Sequence, residues 1–579
     1  VASRVEGRER AGAVASALGL ALPPDLVAAI GVDGARTGDW AGAPGRAYTR
    51  QLAAARTERR AAGAYYTPRY LTELVVDRVL DPWAADSAEQ FLERRILDPA
   101  CGAGAFLIAV LDAAVARWAG SATAAERARF ARAVVGNCLF GIDTDPIAAD
   151  SCRLALALAA GRYGVALPGN GLLDADSLDG GGAKTIEVGD AILGPDPAVA
   201  RAGSFDAVVG NPPWGQKGFR WTPRQRDQLR ERYRVGRGVV DPFAVFIERG
   251  LALCRDGGRL ALVVPDVLLL KNQRLARDVL LDDSCIEWLI HSGRAFADVN
   301  LDTAVVVARR GAAPPDHEVA IWTEVPPSWR TVPPATTRTP QSVFRELPGH
   351  CFNLYLSDGK LELLRRLRAA RRFDTLFETH EGVHSGNARK KLFVDERPPG
   401  PAARLVLGRD EVGPCSIRWG GRWLDRRPEA LDRGAGDYAN LGRPEWHETA
   451  KLVVRRTGDR VVSAHDPEGL WVSNNLFVAV PRGPMQAEEL RAFAVLLNSR
   501  LMTWYFRALV PRTGRLFAEL KLVHLRDFPV PDEGAWQQAI AGLEGCYGRQ
   551  DSDAERDRLV ADAFGLDDAE RQLLSPDPG

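Results

Sequence analysis

Between residues 206 and 214 the chain reads Asp206-Ala207-Val208-Val209-Gly210-Asn211-Pro212-Pro213-Trp214. An amide, a carbonyl on a proline-restricted backbone and an indole face are the groups needed to hold a planar amino group. The Asn211 side-chain oxygen accepts one amino hydrogen, the Pro212 carbonyl accepts the other, and Trp214 covers the ring. Holding both hydrogens turns the nitrogen lone pair toward an incoming electrophile. Catalysis at such a site is positioning and electrostatics, with no protein nucleophile, and the chemistry that fits is methyl transfer to an exocyclic amine. The alternative for these residues taken alone is a sheet-ending turn with a core tryptophan.

The elements that must position this turn are legible around it. Phe205 to Val209 is an apolar run suited to the middle of a parallel sheet, and Gly210 with the two prolines ends it. Pro212 also favours an extended Asn211. Ile96-Leu97-Asp98-Pro99-Ala100-Cys101-Gly102-Ala103-Gly104-Ala105-Phe106 is a second strand-to-turn signal, followed by helical spacing through Leu107, Val110, Leu111, Ala114 and Val115. Gly102 and Gly104 let the backbone approach a cofactor, although Gly-x-Gly alone does not say which one. A later strand, Cys138 to Asp143, ends in an acid suited to two ribose hydroxyls.

Taken together these motifs resemble the S-adenosyl-L-methionine-dependent amino methyltransferases of DNA, in which an Asp-Pro-x-x-Gly-x-Gly turn and an Asn-Pro-Pro-aromatic turn occur together. The resemblance implies an α/β fold: a Rossmann-like methyltransferase domain followed by a carboxy-terminal mixed α+β DNA-recognition domain. It implies that Asp98, Ala100, Gly102 and Gly104 surround the methionine part of the cofactor, that Asp143 holds its ribose and that Asp190 meets its adenine. Gly63-Ala64-Tyr65-Tyr66-Thr67-Pro68 is similar to the family's Tyr-x-Thr-Pro cofactor segment, with the division of labour between Tyr65 and Tyr66 left open. The motif order, cofactor turn before Asn-Pro-Pro-Trp and a long segment after it, is that of the gamma-class adenine-N6 enzymes. Two features concern the aromatic residues. Trp214 stands where tyrosine or phenylalanine is commoner, and Phe296, just before the strand Thr303 to Val307, is the candidate for the opposite face of a flipped base or else a core residue of the last hairpin.

At 579 residues the chain is expected to hold several domains: a helical extension over 1–60, a methyltransferase domain over 61–310, a linker over 311–345 where proline and threonine are frequent, a target-recognition domain over 346–535 and a helical tail over 536–579. The 1–60 segment either caps the catalytic domain or extends from it. Formal net charge is zero, so attraction to double-stranded DNA must come from local patches. Candidates are Lys217 and Arg220, in a basic stretch that is either a DNA-ordered loop or an exposed helix, and the polar run His384, Ser385, Asn387, Arg389, Lys390 and Lys391. Leu496-Leu497-Asn498-Ser499 and the segment Lys521 to Pro531 look similar to the end of TaqI-like and Eco57I-like recognition domains. The eight cysteines have no ligand spacing and read as reduced core residues, and the histidines form no recognisable metal cluster, which this chemistry does not call for. No stretch is apolar enough to span a membrane, so a cytoplasmic enzyme is expected. The expected activity is adenine-N6 methylation. Cytosine-N4 methylation, protein-glutamine methylation and a non-catalytic specificity or defence subunit are the alternatives, and a separate nuclease or defence-system partner is left open.

Overall fold

The computed structural model of the protein describes residues 9, 11–16, 18–54, 67–165, 185–194, 203–215, 221–238, 240–269, 273–296, 301–356, 358–408, 410–510, 519–549 and 551–574. The chain divides into two compact units, Val1–Leu354 and Tyr355–Gly579.

The first unit is built on a nine-stranded sheet. Its strands are β1 Ile96–Asp98, β2 Leu139–Asp143, β3 Ile186–Val188, β4 Phe205–Gly210, β5 Cys254–Pro265, β6 Ser284–Gly293, β7 Thr303–Arg310, β8 Glu318–Trp322 and β9 Thr337–Pro340, in the order β3-β2-β1-β4-β5-β7-β6-β8-β9. β1 to β5 pair in parallel, and β7 inserts antiparallel between β5 and β6. The chain works outward from β1 to β3 and then returns to place β4 on the other side of β1. That reversal of winding opens a crevice at the carboxyl ends of β1 and β4, the usual ligand site of an open α/β sheet.

Every residue of β4 is buried, as its apolar run requires. Its start is pinned at Asp206, which accepts hydrogen bonds from the Arg95 N–H (2.9 Å), Arg94 (3.2 Å) and Arg255 (2.8 Å). Helices α1 Pro24–Thr37, α2 Ala43–Ala54, α3 Arg69–Leu80, α4 Ala105–Trp118, α5 Pro146–Gly161, α6 Pro223–Arg232 and α7 Pro242–Leu253 surround the sheet. On α4 the positions Leu107, Val110, Leu111, Ala114 and Val115 are all buried, the helical stripe read from their spacing.

One boundary differs from the sequence expectation. Residues 318–322 and 337–340 are β8 and β9 of the first sheet, so the segment read as a linker completes this unit. No proline falls within β8, whose Val319, Ala320, Ile321 and Trp322 are all buried. At the other end, α1 and α2 are packed structure: Leu26, Ile30, Ala47 and Tyr48 share one core cluster with Leu154 and Leu158 of α5.

The second unit holds two four-stranded sheets and a helical set. Its core includes Val453, Ala464, Val472, Leu476 and Val478. Lys451 and Asp466 form a fully buried ion pair, and Asp466 also accepts the N–H groups of Glu468 (2.9 Å) and Leu470 (2.8 Å), which leaves little of its charge uncompensated. The Asn498-Ser499 pair joins two helices. Asn498 accepts from the Ser463 N–H (3.0 Å) and donates to the carbonyls of Ser463 and Ala494 (2.7 Å each), while Ser499 caps the helix Arg500–Leu509. The segment read as a tail belongs to this core as well: Trp536 is buried against Phe493, ring centroids 4.1 Å apart.

Candidate active site

β1 ends at Asp98, where the chain turns through Pro99 to Gly104 into α4. Gly104 adopts a left-handed conformation (φ 84°), and a Cβ there would lie 2.8 Å from Cys152 Sγ, so the tight turn needs glycine on two counts. Asp98 Oδ1 accepts the Ala100 N–H at 3.1 Å. Burial pushes the Asp98 carboxyl up to about 8; the Ala100 N–H opposes that rise and the neighbouring Asp143 adds to it. Asp143, at the end of β2, accepts the Gly102 N–H on Oδ2 and the Asp145 N–H on Oδ1, both at 2.9 Å. Its carboxyl is likewise raised by burial, against those backbone donors. Asp190 follows β3 and holds its own turn, Oδ1 accepting from Ile192 (2.9 Å) and Leu193 (3.0 Å).

A cavity of about 470 Å³ brings these residues together, lined by Thr67, Asp98, Ala100, Gly102, Phe106, Asp143, Asp190, Ile192, Asn211, Pro213 and Phe246 among others. The size is that of a small-molecule site. The donor set fits a nucleoside-like cofactor carrying a positive charge. A carboxylate with each oxygen already oriented by a backbone N–H retains lone pairs for two vicinal hydroxyls. Asp98 offers a buried carboxyl whose ionised form a positively charged ligand would favour, and Ile192 and Phe246 supply apolar wall for a flat ring.

The Asn-Pro-Pro-Trp turn leaves β4 at the same edge. A Cβ at Gly210 would stand 2.7 Å from Asp98 Oδ1, which measures how closely the two strand ends approach. Asn211 donates from Nδ2 to Thr67 Oγ1 at 3.1 Å, and Trp214 donates from Nε1 to Asn211 Oδ1 at 2.9 Å. The amide is therefore tied at both ends, and the segment carrying Thr67 is joined directly to the turn. Pro212 is buried, and Pro213 is the proline that lines the cavity. Trp214 meets Phe296 edge to face, centroids 5.6 Å apart at 70°, and both rings are buried. The sequence expectation put a base between these two rings. Here they touch, so admitting a base requires one ring to move. Tyr65, Tyr66, Lys217 and Arg220 lie outside the described residues.

Several lining residues carried no motif. Gly42, Gly45, Tyr48 and Thr49, in and beside α2, form one wall of the cavity, and Trp221 and Gln225 contribute from the start of α6. Tyr48 donates to Asp145 Oδ2 at 2.5 Å, tying α2 to the loop after β2. The stretch after residue 220 forms helix α6, whose Arg224 and Arg230 are exposed. The histidine pattern suggested no metal cluster, yet Asp266, His291 and Asp302 bring ligand atoms within 4.8 Å of one another, with His291 Nε2 3.7 Å from Asp302 Oδ2. These residues come from the ends of three strands, which spacing along the chain does not reveal.

In the second unit the polar run 384–391 forms a braced surface. Asn387 donates to the Gly436 carbonyl (3.1 Å) and accepts the Tyr438 N–H (2.9 Å), and Lys391 pairs with Asp437 (2.5 Å). His384 pairs with Glu381 at 2.9 Å, and Ser385 is buried. Those residues hold a loop. Exposed beside them stand Arg389, Lys390, Arg433 and Tyr438, the last 67% exposed.

The strand order, the antiparallel β7 and the cofactor-sized crevice define the Rossmann-like class of S-adenosylmethionine-dependent methyltransferase folds. Residues 137–296 match the Eco57I restriction-modification methylase family, and residues 404–530 match the TaqI-like C-terminal specificity domain. Together these matches support a TaqI/Eco57I-like methyltransferase with a carboxy-terminal recognition domain.

Among curated proteins it is similar to the type II restriction enzyme and methyltransferase RM.Eco57I of Escherichia coli, 25% identical over 230 residues that cover 34% of this chain and 22% of that one. It is also similar to the type II methyltransferase M.PaeR7I of Pseudomonas aeruginosa, 28% identical over 192 residues, 33% of this chain and 30% of that one. The match thus spans less than a third of either relative. Among solved structures, the type IIL restriction-modification enzyme MmeI in complex with DNA aligns with a TM-score of 0.55 at 13% identity, over 90% of this chain and 79% of that one. The DrdV–DNA complex aligns with a TM-score of 0.53 at 11% identity, over 88% and 59%. At these identities the likeness is one of fold. No helix among the described residues is long and apolar enough to cross a membrane.

Proposed function

We propose that the protein is a site-specific DNA methyltransferase that methylates the N6 amine of a flipped adenine in double-stranded DNA. The observation that carries this reading is the Asn211 amide, oriented by Thr67 and Trp214 in the wall of the same cavity that holds Asp98, Asp143 and Asp190. S-adenosyl-L-methionine, when bound there, supplies the electrophilic methyl group. The chain's residues do the rest. Asp143 orients the ribose, Asp98 faces the charged methionine end, Asn211 Oδ1 and the Pro212 carbonyl accept the two amine hydrogens, and Trp214 and Phe296 enclose the ring.

An amine inside a duplex cannot reach a buried turn, so the base must leave the stack, and the specificity unit would read its neighbours. Arg389, Lys390, Arg433 and Tyr438 are the side chains offered for that contact: cations for phosphates and a ring held by a braced loop. Restriction-modification relatives make a nuclease, in this protein or beside it, the natural partner activity. Incubating duplex DNA with methyl-labelled cofactor and analysing the nucleosides by mass spectrometry tests the reading. Label in N6-methyladenine is expected. Label in N4-methylcytosine would change the substrate, and an unlabelled digest would overturn the assignment.

A further inference from the structure

The Asn211 amide can present either its oxygen or its nitrogen to a substrate, and only the oxygen accepts an amine hydrogen. Which end is presented is a chemical question that side-chain shape alone does not answer. Trp214 answers it. An indole N–H is a donor and nothing else, so the amide atom 2.9 Å from Nε1 is the oxygen. The other end, Nδ2, then donates to Thr67 Oγ1 at 3.1 Å. Turning the amide over would set the Trp214 and Asn211 donors face to face in a buried site, where an unmade hydrogen bond is expensive.

Resting on the adenine reading above, we infer that Trp214 is a positioning residue: its indole N–H locks the Asn211 amide in the one orientation that accepts the substrate amine. A phenyl ring at 214 offers the same kind of face to a base but has no donor at that edge. The amide oxygen has two lone pairs, so the indole bond leaves one for the amine. The same bond fixes the indole itself. Because Trp214 and Phe296 are in edge-to-face contact, a base entering between them must displace one of the two rings.

The test separates the ring from its donor. Trp214→Phe, and site-specific replacement of Trp214 by benzothienylalanine, in which sulfur takes the place of the indole N–H, are compared with the wild type in single-turnover methyl transfer to duplex DNA. The expected result is a rate about tenfold lower for both, the scale of one neutral hydrogen bond, with KM for DNA and cofactor affinity unchanged. Thr67→Val releases the other end of the same amide. Combining it with Trp214→Phe should therefore lower the rate by less than the product of the single effects. A wild-type rate in the benzothienylalanine protein would overturn the inference, as would a loss confined to KM, which would leave stacking as the indole's whole role. A wild type that labels neither adenine nor cytosine would instead overturn the function on which the inference rests.

Discussion

The Trp214 indole nitrogen and Asn211 Oδ1 lie 2.9 Å apart, so the residue proposed to cover the substrate ring is also bonded to the residue proposed to hold its amine. The two residues are one hydrogen-bonded unit, anchored through Thr67 to the segment before α3.

Asn211→Ala removes the acceptor and leaves the Trp214 and Thr67 groups without it. Because the amide acts on the amine rather than on the methyl donor, methyl transfer should fall ~100-fold or more, the scale of losing one oriented electrostatic group. Cofactor affinity by titration calorimetry should stay near wild type. Wild-type turnover in this variant would remove Asn211 from the chemistry.

Asp143→Ala acts on the other side of the cavity. It takes two acceptors from the Gly102 and Asp145 N–H groups as well as the proposed ribose contact. An orphaned buried donor costs about 1–3 kcal/mol, so cofactor affinity should fall at least ~10-fold in an equilibrium titration, with rates recovering toward wild type at high cofactor concentration. Unchanged affinity would place the ribose elsewhere.

Asp98 predicts a pH dependence. Its carboxyl rises from 3.8 in an ordinary setting to about 8 in the folded protein, so between those values the folded state holds a proton that the unfolded chain has released. More protons on the native state mean that stability falls as pH rises through this window. The positively charged cofactor favours the ionised form, so its affinity should increase toward pH 8 and its binding should release a proton below that pH. Calorimetry in buffers of different ionisation enthalpy reads the proton directly. In Asp98→Asn the pH dependence of affinity should flatten, and a slope equal to wild type would reassign it.

Tyr48→Phe tests the cavity wall built by α2. The variant keeps the ring in its core cluster and loses the bond to Asp145, a hydrogen bond to a charged group of about 2 kcal/mol. Cofactor affinity should fall several-fold, and the extra thermal stability conferred by the cofactor should shrink with it. An identical cofactor-induced shift in melting temperature would confine Tyr48 to packing.

Arg389 and Lys390 are exposed beside the braced 432–438 loop. If each meets a phosphate, replacing both with alanine should weaken DNA binding across all sequences and reduce the slope of log affinity against log salt by roughly 2. Tyr438→Ala should instead change the preference among sequences with little effect on that slope. An unchanged slope in the double variant would move the phosphate contacts to other residues.

The parts of the site that could be read from sequence are those where one short stretch carries both the strand and the chemical group. Asp98 and Asp143 each end a buried strand and Asn211 directly follows one, and parallel sheets put such ends on one edge. Tyr48 was invisible for the opposite reason: a helical apolar pattern says which face is buried, not against which cavity. Asp266, His291 and Asp302 meet only because β6 and β7 pair beside β5. The segment read as a linker misled because most of its prolines gather in the turns around β8 and β9, and strands of five and four residues are too short to show a period. Trp214 read as a stacking face. Its donor role depends on a three-residue turn geometry that composition does not encode.

Because β1 and β4 are hydrogen-bonded neighbours in parallel register, Ile96 with Ala207 and Leu97 with Val208, the separation of Asp98 from the Asn211 turn, and with it the gap between the proposed methyl donor and acceptor, is set by the backbone ladder. On the proposed function, a changed sequence preference would not require that gap to be retuned.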